Sequence, residues 1–126
     1  MKLGVHAGLW MAKWTDEITP ILKIIADTGF DGVEISLLGM DQHKAQSLNQ
    51  VIKDFNLEVT CSDGLSISAD ITSSDNSIVS KGIDHLKWGI ETCSLLGSNN
   101  LAGVVYAPWG VFDPKNKAVR TERSAK

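Results

Sequence analysis

The strongest constraint on the fold is an order of segments that repeats along the chain. Three times an amphipathic segment ends at turn residues and is followed by a short apolar run. The turns are Thr28–Gly32, Phe55–Asn56 and Leu96–Asn100, and the apolar runs are Val33–Ile35, Leu57–Cys61 and Leu101–Tyr106. With the opening run Leu3–Ala7, this order predicts four strands separated by three helices, which is typical of an α/β fold with a parallel sheet.

The length of 126 residues limits how much of such a fold the chain can form. A closed (β/α)8 barrel needs roughly 250 residues, and compact versions need about 200. We therefore predict the first four strand–helix units of a TIM (β/α)8 barrel, in a single incomplete domain over residues 1–126, and we expect the chain to be truncated.

Proline, glycine and capping residues predict where the helices begin and end. Pro20 marks the first turn of the first helix, because its missing N–H is tolerated only there. Thr19 is the expected cap of that helix, and Gly29 is its expected left-handed stop. The second helix is expected over Asp41–Phe55, with Asp41 as its cap.

The third strand and the third helix are less regular in sequence. We expect the strand to end near Cys61 and to open a polar loop without regular structure over Ser62–Ser77. The helix that follows is expected to bury an apolar stripe made of Val79, Ile83, Leu86, Ile90 and Cys93. Gly82 and Gly89 weaken that helix or allow close packing on a neighbour.

Composition and charge argue against several kinds of protein. The net charge of −3 argues against a nucleic-acid partner, and no apolar stretch approaches the roughly 18 residues that span a membrane. The N-terminus has no secretory signal pattern, and Cys61 and Cys93 lack CxxC spacing. We therefore expect a cytoplasmic protein with two buried, reduced thiols. The basic cluster over Lys115–Lys126 is expected to be a solvated helix face, with phosphate binding as the alternative.

Chemically useful side chains follow each predicted strand. In a parallel α/β fold, ligands bind at the carboxyl ends of the strands, where the loops converge. The residues there are His6, Trp10, Trp14, Glu34, Ser36, Ser62, Asp63, Gly64, Tyr106 and Trp109. Aromatic rings cover the apolar face of a sugar, and acids and hydroxyls bind its OH groups, so we predict a small polyhydroxylated ligand. Packing against the core is the alternative for the tryptophans.

Two of these residues have other interpretations that stay open. His6 alone at a strand end is often a hydrogen-bonded structural residue, and Glu34 could form a salt bridge within the sheet. His6, Glu34 and Asp63 could also hold Mn²⁺ or Mg²⁺, although their spacing matches no known ligand motif. His43 and His85 are expected to be solvated on helices.

Several segments carry a family resemblance: Lys2–His6 with Trp10 and Trp14, Thr28–Ile35, Gly64–Ser66, Ile71–Asp75, and Gly103–Tyr106 with Trp109. Over essentially its whole length, the chain resembles the N-terminal half of the sugar phosphate isomerase/epimerase superfamily, which has a xylose isomerase-like TIM barrel. Within that superfamily it is most similar to the D-tagatose/D-psicose (allulose) 3-epimerase family.

The resemblance implies an activity for the full-length relative. Such enzymes invert C3 of a free ketose by proton transfer on a bound Mn²⁺, Mg²⁺ or Co²⁺, which two glutamates, an aspartate and a histidine hold. In the family pattern those four residues lie beyond Lys126, so we expect no catalytic or metal-binding residue in this chain and no activity from it alone.

The resemblance also implies a set of substrate-binding residues. They are Trp14, Gly64, Tyr106 and Trp109, which match loop positions that line the sugar pocket, and Glu34, which matches a family acid. We add His6 to the predicted substrate-binding set because it ends the first strand. His6 stands where several epimerases have an aromatic residue, and Cys61–Asp63 departs from the family pattern, so the preferred ketose is left open. The implied partner is a small-molecule ketose, with neither nucleic acid nor membrane, and the full-length form is expected to be a homo-oligomer.

Two other functions are compatible with the sequence. Half of a barrel exposes sheet edges and apolar surface, so the chain could self-associate or pair with a complementary chain. It could also be a sugar-binding module without catalysis.

Overall fold

The computed structural model describes residues 1–14 and 17–126. Its strands are β1 (Gly4–His6), β2 (Gly32–Ser36), β3 (Glu58–Leu65) and β4 (Leu101–Pro108). Its helices are α1 (Thr19–Asp27), α2 (Gln42–Asp54), α3 (Asn76–Leu95) and α4 (Lys117–Ser124). Short 3₁₀ turns lie at Ala7–Leu9, Ile67–Ala69 and Pro114–Asn116.

The strands form one sheet in the order β1-β2-β3-β4, so each strand lies beside the strand that precedes it in the sequence. β1 pairs with β2 in parallel, and β2 pairs with β3 in parallel. Parallel neighbours need a crossover connection, and α1 and α2 provide the first two. The predicted α/β class with four strand–helix units is confirmed.

The described residues divide into two compact units. The first contains Met1–Ser62 and Ile90–Ala102, and the second contains Asp63–Gly89 and Gly103–Lys126. The first unit has a core of fully buried apolar side chains that includes Leu22, Ile25, Val33, Ile35, Ala45, Ile52, Cys61 and Leu96. The single incomplete domain over residues 1–126 stays a prediction.

The helix ends agree with most of the predicted signals. The Asp41 carboxylate accepts a hydrogen bond of 2.8 Å from the Lys44 N–H, so its capping role is confirmed. Gly29 follows α1 with a φ of +90°, the left-handed conformation expected of a stop. Thr19 was wrongly predicted to cap α1. It is the first residue of that helix, and its hydroxyl donates to the Glu17 carboxylate instead.

β3 is longer than predicted. It continues four residues beyond Cys61, so the predicted irregular loop is wrong over its first part. Cys61, Asp63 and Leu65 are all buried, which is the alternation of a strand rather than the exposure of a loop. The polar residues of this segment predicted a loop, because the sequence alone does not show which group packs against the Asp63 carboxylate.

α3 buries glycine where large apolar side chains were predicted. Ile83 and Ile90 are exposed, so that part of the predicted stripe is wrong. Gly82 is buried, and a Cβ at this position would lie 2.6 Å from the Ala69 carbonyl oxygen and 2.7 Å from Ile71 Cγ2. α3 therefore packs closely against the backbone of Ala69–Ile71, which is possible because Gly82 has no side chain. Within the described ranges, no helix is long and apolar enough to cross a membrane.

Candidate functional site

The first unit separates apolar and polar side chains onto the two faces of its strands. Val33 and Ile35 of β2 are buried, whereas Glu34 and Ser36 point to the opposite face and stay partly exposed. Side chains in a strand alternate between faces, so this pattern fixes which residues can reach a ligand. The alternation places Glu34 on the face that the helices do not bury.

The register extends this polar surface over three strands. His6 lies opposite Glu34, Glu34 lies opposite Thr60, and Ser36 lies opposite Ser62. Residues that are paired in a parallel sheet lie on the same face, so these side chains form one surface. We call it the polar face, and it consists of His6, Glu34, Ser36, Thr60 and Ser62. Barrel interiors usually carry branched apolar residues, so a polar composition indicates a place for a ligand.

His6 is held in one orientation and one tautomer. Its Nδ1 accepts a hydrogen bond of 2.9 Å from the Gly8 N–H, in the 3₁₀ turn that follows β1. A backbone N–H can only donate, so Nδ1 carries no proton, and the ring is neutral with its proton on Nε2. Nε2 lies 3.4 Å from Ser62 Oγ and 3.7 Å from Glu34 Oε1. The ring therefore presents a hydrogen-bond donor to the polar face.

Trp14 adds an aromatic surface beside this histidine. The two ring centroids are 5.7 Å apart and the rings are nearly perpendicular, at 79°. Gly8 allows this approach, because a Cβ there would lie 2.7 Å from His6 Nδ1 and 3.0 Å from Trp14 Cη2. Trp14 is 44% exposed, so part of its apolar surface is free to cover a ligand.

A cavity of about 270 Å³ lies against the same strands. Its lining includes Gly4, His6, Gly32, Glu34, Glu58 and Thr60. Glu58 pairs with Lys2, whereas Glu34 faces the neutral ring of His6. Small-molecule pockets typically measure roughly 300–1,000 Å³, so this cavity is slightly smaller than that range.

The remaining predicted site residues lie in the second unit. The Trp109 N–H donates a 2.8 Å hydrogen bond to the Leu65 carbonyl, and a Cβ at Gly64 would lie 3.9 Å from the Trp109 side chain. The rings of Tyr106 and Trp109 are both exposed. The structure thus brings Gly64 together with Trp109, and it brings His6 together with Trp14 and Glu34.

A buried pair in the second unit was missed by the sequence interpretation. His85 was predicted to be solvated, which is wrong, because its Nε2 lies 2.9 Å from Asp63 Oδ2. The Asp63 side chain is 2% exposed, and its Oδ1 accepts a 2.8 Å hydrogen bond from the Gly64 N–H. Oδ2 and Nε2 face each other without an aligned hydrogen bond. The sequence signal that could have revealed this pair is the spacing of Asp63, which lies two residues from Cys61 and two from Leu65 and therefore on the same buried face of the strand.

The donor groups do not fit a metal centre. Over residues 1–14 and 17–126, no group of three or more His, Cys, Asp or Glu side chains could hold a metal ion. The alternative of a Mn²⁺ or Mg²⁺ site at His6, Glu34 and Asp63 is therefore wrong. Asp63 is on the side of β3 that carries Cys61 and Leu65, and its partner is His85. The chain's described residues thus do not fit the divalent metal that the resemblance implies.

The two thiols are buried and free, as predicted. Burial, together with the neighbouring Cys93 thiol, raises the pKa of Cys61 to about 12. Cys93 Sγ donates to the Asn100 carbonyl at 3.5 Å, and the same carbonyl accepts a 2.9 Å hydrogen bond from the Cys61 N–H. Both cysteines therefore help to hold the start of β4 in place.

The C-terminal basic cluster is not simply a solvated helix face. Arg120 forms a 3.1 Å ion pair with buried Asp70, and Arg123 donates a 3.2 Å hydrogen bond to the Thr72 carbonyl. Asp70 Oδ1 also accepts hydrogen bonds from the N–H and the hydroxyl of Thr72. These arginines attach α4 to the segment after β3, so the prediction of a solvated face is wrong for them.

Comparison with known proteins finds sugar epimerases as relatives of this chain. No protein-family model matches it. It is 31% identical over 113 residues to an L-ribulose 3-epimerase of Methylomonas sp., and the aligned segment covers 89% of this chain and 40% of that protein. It is 28% identical over 108 residues to a ketose 3-epimerase of Arthrobacter globiformis, which covers 85% of this chain and 37% of that protein. The chain thus spans about two fifths of the length of these curated relatives.

Solved structures agree with the sequence comparison. A crystal structure of D-psicose 3-epimerase in the presence of D-fructose matches with a TM-score of 0.88 over 98% of this chain and 45% of that one; at 20% identity it supports the fold alone. D-allulose 3-epimerase from Methylomonas sp., in complex with D-allulose, matches with a TM-score of 0.79 and 29% identity over 99% of this chain and 46% of that one.

The fold corresponds to the first four strand–helix units of a TIM (β/α)8 barrel. The chain is a homologue of the ketose 3-epimerases, and the family resemblance is confirmed.

Proposed function

We propose that this chain provides part of the sugar-binding wall of a ketose 3-epimerase, and that it binds free ketoses without epimerising them by itself. The observation that supports this most is the convergence of Trp14 with His6 at the end of β1 and Glu34 in the middle of β2. An indole beside a donor and a carboxylate suits a polyol, because sugars combine apolar C–H faces with hydroxyl groups.

The comparisons support a ketose as the ligand. One homologous structure is in complex with D-allulose, and the curated relatives are L-ribulose and ketose 3-epimerases. D-Psicose, which is the same sugar as D-allulose, is therefore the first ligand to test. The homo-oligomeric full-length form and the cytoplasmic location stay predictions from the sequence.

The described residues support the proposal that the chain is inactive by itself. Epimerisation at C3 needs one group that removes a proton and another that returns it on the opposite face. The polar face has the Glu34 carboxylate and neutral His6 on neighbouring strands, and no described cluster fits the Mn²⁺, Mg²⁺ or Co²⁺ expected for the full-length family. We therefore assign binding to these residues and no step of proton transfer.

Binding can be tested by saturation-transfer NMR and calorimetry with D-psicose. Wild type is expected to bind weakly, and Trp14→Ala is expected to lose most of the signal because the indole covers the sugar. Trp88→Ala is the matched control, since this indole is on α3 beside His85. Equal loss in both variants would contradict the assignment of Trp14.

Turnover needs a separate assay. The purified chain is incubated with D-fructose and Mn²⁺, and D-psicose is measured by chromatography. We expect no more D-psicose than in a control reaction that lacks the protein. Metal-dependent conversion by the wild-type chain would contradict the proposed inactivity.

Gly64, Tyr106 and Trp109 of the second unit are also proposed as ligand contacts. Gly64 leaves room beside the Trp109 side chain, and the exposed rings of Tyr106 and Trp109 offer further apolar surface. Trp109→Ala should weaken D-psicose binding in the same titration without changing the circular dichroism spectrum. Unchanged affinity would remove Trp109 from the proposed set.

Self-association is a second candidate function, and exposed apolar side chains favour it. Ile67, Trp109 and Phe112 are large and exposed, and Phe112 is 90% exposed. Water-exposed groups of this size are typical of surfaces that bind another protein. Sedimentation velocity over a wide concentration range should then show a second species, which a Phe112→Ser variant reduces. A single monomeric species throughout would exclude this function.

A further inference from the structure

The distances between His6, Glu34 and Ser62 leave a gap on the polar face. His6 Nε2 lies 3.7 Å from Glu34 Oε1 and 3.4 Å from Ser62 Oγ. Good hydrogen bonds between nitrogen and oxygen measure about 2.7–3.2 Å, so these groups do not satisfy one another well. Polar groups at such distances are often bridged by one further oxygen atom. An oxygen placed beside the line from Nε2 to Oε1 can lie about 2.8 Å from both atoms.

The two atoms that border this gap have opposite roles in hydrogen bonding. The Gly8 N–H leaves the only ring proton of His6 on Nε2, so this atom donates. The ionised Glu34 carboxylate can only accept. A hydroxyl group satisfies both, because its oxygen accepts from Nε2 and its proton goes to Oε1. A carbonyl or ether oxygen satisfies only the histidine.

The charge around the gap disfavours an anionic ligand. His6 is neutral in this tautomer, so it does not offset the charge of Glu34. Lys2 and Glu58, which line the same cavity, pair with each other. Asp31 also lines the cavity, and its carboxylate accepts from the Leu3 N–H. A phosphate or carboxylate in this position would meet like charge, which is repulsive over a few ångströms.

We infer that the gap between His6 and Glu34 binds a ketose hydroxyl that accepts and donates a hydrogen bond at once, and so selects neutral ketoses against anionic sugars. This inference rests on the proposed sugar binding, and it names the two side chains responsible for the selection. Trp14, which packs edge-on against His6, keeps the donor in place while its own exposed surface contacts the sugar.

The test is a thermodynamic cycle in which the sugar hydroxyl and the Glu34 carboxylate are removed separately. Binding of D-psicose and of a set of singly deoxygenated D-psicoses is measured by calorimetry for wild type, for Glu34→Ala and for the matched surface control Glu91→Ala. One deoxy sugar should bind wild type and Glu91→Ala about tenfold more weakly than D-psicose, since a hydrogen bond to a charged group contributes about 1.5 kcal/mol. Glu34→Ala should bind this deoxy sugar less than about threefold more weakly than D-psicose, because the carboxylate that pairs with the missing hydroxyl is already absent.

A second arm tests charge. D-Fructose should bind wild type more tightly than D-fructose 6-phosphate, and Glu34→Gln should narrow this preference while Glu91→Gln leaves it unchanged. If neither sugar binds wild type, both the inference and the proposed function are overturned. D-Psicose could bind while each deoxy sugar shows the same loss of affinity relative to D-psicose in wild type as in Glu34→Ala. That result would overturn the inference alone. Equal affinity of wild type for both fructose forms would also overturn it.

Discussion

His85 Nε2 lies 2.9 Å from Oδ2 of Asp63, a carboxylate that is almost completely buried while a third of the imidazole remains exposed. The pair joins β3 to α3 within the second unit. A buried carboxylate is costly unless it is paired or hydrogen-bonded, and Asp63 has the Gly64 N–H on one oxygen and His85 on the other. The histidine therefore matters to the fold although it is not part of the polar face.

Replacing His85 should destabilise the chain. His85→Ala leaves Asp63 Oδ2 buried without its partner, and we expect a loss of about 2 kcal/mol, below the range for fully buried pairs because the ring is partly exposed. Urea denaturation measures this loss. Asp63→Asn in the His85→Ala background should recover part of it, and His43→Ala on the exposed side of α2 should change little. A similar loss for both histidine variants would contradict the role of the pair.

The Cys61 thiol predicts how stability depends on alkaline pH. Burial and the Cys93 thiol raise its pKa from 9.0 to about 12, so the unfolded chain releases this proton first. Between these values the unfolded state binds fewer protons, and stability should fall as the pH rises. The contribution is complete below pH 9.0 and is lost towards about pH 12. Urea midpoints at several pH values should fall less steeply for Cys61→Ala than for wild type, and equal slopes would contradict this.

Gly103 should tolerate no side chain. Its φ is +109°, and a Cβ there would overlap the backbone oxygen of Asp63. Gly29→Ala is the control, because its φ of +90° carries the same kind of strain but no atom lies within 4 Å. That control should cost about 1–2 kcal/mol, the usual penalty for a left-handed residue with a side chain. Gly103→Ala should lose clearly more in urea denaturation, and an equal loss would mean that the overlap is relieved without cost.

Arg120 should hold α4 against the segment that follows β3. Its ion pair with Asp70 is mostly buried, so Arg120→Ala should cost about 1–2 kcal/mol and speed amide hydrogen exchange in α4. Lys126→Ala removes a fully solvated pair with Glu122 and should leave the exchange of α4 unchanged. Equal exchange rates in wild type and Arg120→Ala would show that other contacts hold the helix.

The sequence predicts the α/β order well because its signals are local. Asp41 caps α2 through an atom three residues away, and Gly29 stops α1 through its own backbone freedom. β3 could not be bounded in this way, since Asp63 becomes compatible with a buried strand only when His85 reaches it from α3. The buried side of α3 likewise depends on how close Ala69 comes to Gly82, which periodicity does not contain.

The candidate site was partly predictable for the same reason. Parallel strands bring their carboxyl ends together, so His6 and Glu34 could be expected to meet. The tautomer of His6 could not, because it depends on the direction of the Gly8 N–H in a short turn. The face to which Asp63 points could have been read from the phase of Cys61 and Leu65, once the strand was known to continue.

The alternation along β3 limits which length changes this chain can accept. Thr60 and Ser62 face the cavity side, and Cys61 and Asp63 face the other side, so the two sets are separated by a single backbone step. Insertion or deletion of one residue before Thr60 would exchange the two faces. It would turn the Asp63 carboxylate towards the cavity side and move the hydroxyls against the helices. Tolerated insertions in homologues should therefore lie in the connecting loops, or come as two-residue steps within the strand.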